Sequence, residues 1–373
     1  MKWDDIESHF GRGDLLPFWV ADMDFRSAPE IVEALREAAD FGVYGYQVMT
    51  DSARAAAADW QRTRHGWNVA AECVDFVPGV VAGLGFAIQA FTKPGDGVVI
   101  QTPVYPPFFR IIQDNGRKVV ENPLIECESR YEMDFDGLDE LLARPDVTAM
   151  LLCSPHNPVA RVWTSEELSR LAGLCLAHGV MLLSDEIHQD LVYSDAKHIP
   201  AALAAPDLKP LLLTLVAPSK TFNIAGLSSS VWISEDEQVT DMMRKSIATL
   251  HMERLNLFGV RALEAAYRKG APWLDALMSY LEENRALVES FVREKLPRAV
   301  MKHPEGTFIF WIDFRGYGLS SDGLQRILVD RARVALNPGI SFGRQGEGFA
   351  RLNIGCPRAA LEKGLARIGE AFA

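Results

Sequence analysis

The chain is poor in cysteine: five in 373 residues, at positions 73, 127, 153, 175 and 356, with no C-x-x-C pair. An odd, scattered set excludes a disulfide framework and a cysteine zinc site, and no metal is expected. Basic excess is also missing. Lys and Arg number 38 against 50 Asp and Glu, for a formal charge of −12. Nucleic acid is therefore not an expected partner, because phosphate binding needs a basic surface. No stretch approaches the roughly 20 apolar residues of a membrane helix. The start, Met1 to Glu7, is acidic and holds no apolar signal core, so a cytoplasmic location is the expectation. G-x-G-x-x-G is absent as well, which weakens any dinucleotide reading.

What is present is an ordinary soluble composition, 48% apolar and 24% charged. The length suits two domains, or one large α/β domain with a smaller companion. Ser27-Ala28-Pro29-Glu30 opens a helix, with Ser27 as a cap and Gly42 past its end. A second helix is predicted over 51–65. Strands follow at 75–78, 97–101, 147–153, 180–183 and 211–216. Helices are predicted between them at 80–91, 107–115 and after the capping box Thr164-Ser165-Glu166-Glu167. This alternation gives βαβ units, a mostly parallel sheet and helices on both faces. Beyond about residue 270 the texture changes. A long amphipathic helix over 273–296 and strands at 307–314, 334–336 and 349–354 predict a smaller α+β unit.

In open parallel sheets the ligand lies beyond the carboxyl ends of the strands. The first strand delivers Gly79 to Gly83 at a helix start, either a plain turn or a phosphate site. The second delivers Tyr105 between prolines, either packing or a wall against a flat ring. The third delivers Ser154-Pro155-His156-Asn157-Pro158, where Asn157 is a turn residue or a donor to a phenolate-type oxygen. The fourth delivers Asp185, a cap, an ion pair, or a partner for a protonated pyridine nitrogen. The last delivers Ser219 and Lys220. Read alone, Lys220 is a solvated loop cation or a desolvated, nucleophilic amine. Arg351, in the apolar run Phe349 to Ile354, needs an anion: a structural ion pair or a substrate carboxylate. Together these match what pyridoxal 5′-phosphate and an amino acid require.

At this point the chain resembles the fold-type I, aspartate-aminotransferase-like pyridoxal-phosphate enzymes. Within them it is most similar to the MalY/PatB-type cystathionine β-lyases, or cysteine-S-conjugate β-lyases. The resemblance runs through Leu16 to Phe25, Val43-Tyr44-Gly45-Tyr46, Ser154 to Pro158, Ser184-Asp185-Glu186-Ile187-His188 and Ser219 to Leu227. It implies a large cofactor domain with a mostly parallel seven-stranded sheet over 41–270. A small α+β domain over 271–373 and an N-terminal segment 1–40 that packs with it complete the chain. It implies that Lys220 binds the cofactor covalently and that Asp185 faces the pyridine nitrogen. Asn157 faces the 3′-oxygen and Tyr105 stacks on the ring. Val81, Ala82 and Ser219 hold the phosphate, and Tyr46 reaches it from the partner subunit of a homodimer. Arg351, with Asn157, takes the substrate carboxylate, and Trp19 and Asp22 border its pocket. Two positions depart from the transaminase pattern: Ser228 stands where an arginine often grips phosphate, and His188 where tyrosine is common near the 3′-oxygen. Both fit the lyase branch. A transaminase on the same fold, or a non-catalytic binding protein, remains the alternative.

Overall fold

The computed structural model describes residues 1–373. Its centre is a seven-stranded sheet built from β1 (Val74–Val77), β2 (Gly97–Ile100), β3 (Lys118–Glu121), β4 (Val147–Cys153), β5 (Met181–Asp185), β6 (Leu212–Val216) and β7 (Ser230–Ile233). The spatial order is β1-β7-β6-β5-β4-β2-β3. From β6 to β3 every neighbouring pair is parallel, while β7 runs antiparallel to both β1 and β6. The apolar runs are explained by burial on both faces. In β2, Val98 and Ile100 enter one core and Val99 the other; in β4, Leu151 and Leu152 divide in the same way.

Local chemistry sets the element ends. Thr164 accepts from the Glu167 amide and Glu167 bonds back to Thr164, so the capping box forms and holds the helix Ser165–His178. The helix over Pro29–Phe41 starts differently from its sequence reading. Ala28 is the boundary residue, and Ser27 does not cap, because its hydroxyl donates to the Phe222 carbonyl at 2.9 Å. The helix predicted over 51–65 is α-helical over Asp51–Trp60 and then widens into a π-helical turn, Gln61–His65.

A long helix, Ala271–Lys295, leads into a four-stranded antiparallel sheet in the order Val300–Met301, Ile309–Asp313, Phe349–Asn353, Asn337–Pro338. In this smaller sheet Arg351 pairs with both Trp311 and Asn337. Leu16–Pro17 pairs with Val334–Ala335, which ties the start of the chain to the C-terminal unit. The carboxyl ends of β4, β5 and β6 lie side by side, since Cys153 pairs with Asp185 and Asp185 with Leu215. Residues 19–25 and Arg351 close over that edge.

Candidate active site

A cavity of about 320 Å³ opens at this sheet edge. Lys220, Asp185, Asn157, Tyr105, His188 and Ser219 line it, as do Val81 and Ala82. Eight sequence-predicted residues, drawn from five separate stretches of chain, thus share one cleft. The parallel register is the reason: each strand ends at the same edge.

Lys220 sits in the one-turn helix Pro218–Thr221 that follows β6. Its Nζ donates to the Ala21 carbonyl at 2.7 Å and lies 3.7 Å from Asp22 Oδ1. Burial pushes the amine pKa down; the Asp22 carboxylate opposes this and the Arg351 cation adds to it. Asp185 ends β5. The Ile187 amide donates to its Oδ1 at 3.1 Å, and no cation pairs with it. Burial pushes its carboxyl up to about 7, against the Ile187 bond and with help from the neighbouring Glu186 charge. A carboxylate placed so at a strand end suits a cationic ring nitrogen.

Arg351 is 4% exposed and pairs with no carboxylate, so it is not a structural ion pair. It donates to Asn157 Oδ1 at 3.1 Å, to the Trp19 carbonyl at 2.8 Å and to Asn337 Oδ1 at 3.1 Å, while its Nε has no partner. Burial lowers its pKa to about 10, with Tyr105 opposing. His188 is buried and its Nδ1 is unpartnered. Burial first, then the Lys220 and Arg351 charges, push it down to about 3, so it is a neutral ring. Burial likewise raises the Tyr105 hydroxyl.

Two of the named residues stand apart. The Trp19 indole turns away from the cleft: its ring packs 4.5 Å from His9 and its Nε1 donates to the Lys2 carbonyl at 3.0 Å. Only its carbonyl touches the site, through Arg351. Tyr46 is 87% exposed, under the Arg254 guanidinium at 4.2 Å, and lies outside the cleft of its own chain. It borders a larger hollow of about 620 Å³ that has none of the strand-end groups.

Sequence reasoning passes over Cys153, Ser229 and Ser230, which also line the cleft beside Ser228. The serine run is visible as the place of a missing arginine. Ser228 takes a left-handed backbone, φ 49°, and the turn brings three hydroxyl-bearing residues to the cavity. Cys153 gives no sign beyond ending an apolar strand.

The Asp185 carboxyl without a cation partner, the unpartnered Arg351 Nε, the neutral His188 and the half-buried Lys220 amine fit pyridoxal phosphate with an amino acid.

Comparison with known proteins agrees. The chain is 46% identical over 372 residues to the cystathionine beta-lyase PatB of Bacillus subtilis (strain 168), covering 100% of this chain and 96% of PatB. It is 38% identical over 367 residues to the protein MalY of Escherichia coli (strain K12), covering 98% and 93%. The crystal structure of cystalysin from Treponema denticola, which contains a pyridoxal 5′-phosphate cofactor, superposes with a TM-score of 0.96 at 35% identity, covering 100% and 95%. The family described as aminotransferase class I and II matches residues 14–368, and the chain belongs to it.

Proposed function

We propose that the chain is a pyridoxal-phosphate-dependent C–S β-lyase that cleaves cystathionine or a related cysteine S-conjugate to pyruvate, ammonia and a thiol. One observation carries this: the Lys220 amine, largely withdrawn from solvent, feels the charges of both a buried carboxyl with no cation partner, Asp185, and a buried guanidinium with no carboxylate partner, Arg351. The name of the relative at 46% identity supports the lyase reading, and the cofactor in the structure at 35% identity supports pyridoxal phosphate.

When bound, pyridoxal phosphate supplies an aldehyde for Lys220 and an electron-accepting ring. The chain's own groups do the rest. Lys220 would hold the cofactor. Asp185 would keep the pyridine nitrogen protonated. Tyr105 would wall one face of the ring, and Asn157 would meet its 3′-oxygen. The amides of Val81 and Ala82 and the Ser219 hydroxyl take the phosphate, with Ser228 to Ser230 close by. Arg351, whose Nε has no partner, would bind the substrate carboxylate and so fix the Cα–H bond towards Lys220. Once the substrate's amino group has taken its place on the cofactor, the Lys220 amine would take the α-proton as general base. The resulting ammonium would return a proton to the departing sulfur, and water would convert the three-carbon remainder to pyruvate and ammonia. Asp22, 3.7 Å away, balances the charge the lysine gains.

Two further readings rest on the same ground. Phe41, Val43, Tyr46 and Val48 form an exposed apolar strip, which suits burial against a second copy in a homodimer. That contact would carry Tyr46 of the partner subunit towards the phosphate. All five cysteines are free, as a reducing cytoplasm allows, and no helix is long and apolar enough to cross a membrane.

The test is pyruvate release from cystathionine by the purified protein loaded with cofactor and given no keto acid. Release at a steady rate is expected. Turnover only when a keto-acid acceptor is added would instead make the chain a transaminase.

A further inference from the structure

Behind the cleft lies a second buried carboxylate that the chemistry above does not use. Asp190 stands five residues after Asp185, is 6% exposed, and does not line the cavity. It accepts from the Thr221 hydroxyl at 2.8 Å and from Trp60 Nε1 at 3.0 Å, and His65 Nε2 lies 2.8 Å away. Burial alone would raise its pKa; the bonds from His65, Thr221 and Trp60 outweigh that and hold it below the usual range.

The local backbone is shaped for this contact. An α-helix would set residues five apart about 140° around its axis. The π-helical turn Gln61–His65 lets Trp60 and His65 reach the same carboxylate oxygen. Such turns are frequent where a helix serves a site. Asp190 also lies on the segment that begins with Asp185, so one short stretch carries the group facing the ring nitrogen and the group holding Thr221.

Thr221 follows Lys220 in a helix of only four residues, Pro218–Thr221. One turn has almost no stability of its own, so tertiary contacts must place it. Apart from the bond made by Lys220 itself, the Thr221–Asp190 bond is the side-chain tether on the turn. Phe222 next to it packs 5.8 Å from Trp60, the same residue that bonds Asp190. Rotation of this turn would swing the Lys220 amine along the cleft.

We propose that Asp190 is a positioning residue for Lys220, acting through the Thr221 hydroxyl. This rests on the reading of Lys220 as the cofactor lysine. A purely structural role would lower stability and leave the lysine's chemistry alone.

The experiment compares Thr221→Val, Thr221→Ser and Asp190→Asn with the parent protein, each loaded with pyridoxal phosphate. The readouts are the pH titration of the visible absorbance band of the lysine-bound cofactor, kcat against KM, and the thermal midpoint. Thr221→Val is expected to keep the band, move its titration midpoint by about half a pH unit or more, and lower kcat about tenfold with little change in KM, since an ångström-scale misplacement can cost up to about a hundredfold. Thr221→Ser, which keeps the hydroxyl, is expected to restore both. Unmoved titration and kcat in Thr221→Val would overturn the proposal, whatever happens to the thermal midpoint. If Asp190→Asn does not fold, the Thr221 pair still decides. A parent protein with no lysine-bound band would overturn the cofactor reading itself, and this inference with it.

Discussion

Arg351 Nη1 donates a 3.1 Å hydrogen bond to Oδ1 of Asn157, across 194 residues of chain. The bond joins a strand of the C-terminal sheet to the loop that follows β4. It orients a planar fork whose Nε is free. Arginine matches a carboxylate with two parallel bonds, and lysine offers only a point charge. Arg351→Lys should therefore raise KM for cystathionine about tenfold, and Arg351→Ala should cut kcat/KM about a hundredfold or more, since bonds to charged groups contribute about 1.5–3 kcal/mol each. Steady-state kinetics check this. Equal KM values for all three proteins would move the carboxylate site elsewhere.

Lys220 is the group without which no reaction is expected. Lys220→Ala should lose the visible absorbance of the bound cofactor and lower turnover at least about a thousandfold, beyond the loss for a typical general base alone. Borohydride treatment of the parent protein, followed by peptide mapping, should place the trapped cofactor on the peptide containing Lys220. A cofactor trapped on any other lysine would refute the assignment.

Asp185 gives a pH-dependent prediction whose sign can be worked out. Its folded pKa, about 7, lies above its ordinary value of 3.8. The folded protein thus holds this proton more tightly than the unfolded chain. Its stabilising contribution is full below about pH 4 and is lost as pH rises through about 7. Asp185→Asn removes the titration. In cofactor-free protein, the variant should gain on the parent by a few kcal/mol between pH 4 and pH 8, because each tenfold difference in proton affinity is worth about 1.4 kcal/mol. Urea unfolding across that range measures it. With cofactor bound the order should reverse, because the ionised carboxylate then has a cation to face. Parallel stability profiles for the two cofactor-free proteins would show that Asp185 is not buried as described.

Much of this site can be read from the chain because it lies on β4, β5 and β6, whose apolar runs are long and whose ends are polar. What each of these strands releases falls into one cleft. Arg351 is legible for a related reason: a guanidinium inside Phe349–Asn353 has to meet something polar. The edges of the sheet are harder. β3, Lys118–Glu121, is flanked by charge at both ends, and β7, Ser230–Ile233, follows a serine run that reads as loop. The antiparallel direction of β7 is set by its two neighbours and leaves no local mark. Trp19 reads as a pocket residue because its neighbours are. Its indole instead packs on the short helix Ile6–Phe10, whose pattern is too brief to read. Tyr46 shows a different limit. Its surroundings within one chain are mostly solvent, so nothing in this chain alone ties it to the cleft.

The segment over the cleft supplies the last prediction. Asn223, three residues after Lys220, accepts from the Met23 amide at 3.0 Å and donates to the Met23 and Phe25 carbonyls at 2.9 and 2.8 Å. Its backbone is left-handed, φ 56°, a conformation asparagine tolerates better than alanine. Asn353 holds the same segment from the other side, donating to the Val20 carbonyl and, at 2.7 Å, to that of Asp22. The stretch bearing Ala21 and Asp22 is thus fixed against Lys220 by two side-chain amides and has little secondary structure of its own. Asn223→Ala removes three bonds and adds backbone strain, so a loss of about 2–4 kcal/mol in unfolding free energy is expected. Asn223→Gly relieves the strain but not the lost bonds, and should recover only about 1 kcal/mol of it. Denaturant titration of the three proteins separates the two terms. If glycine restored the parent's full stability, the clamp would contribute nothing, and the position of Asp22 beside Lys220 would need another cause.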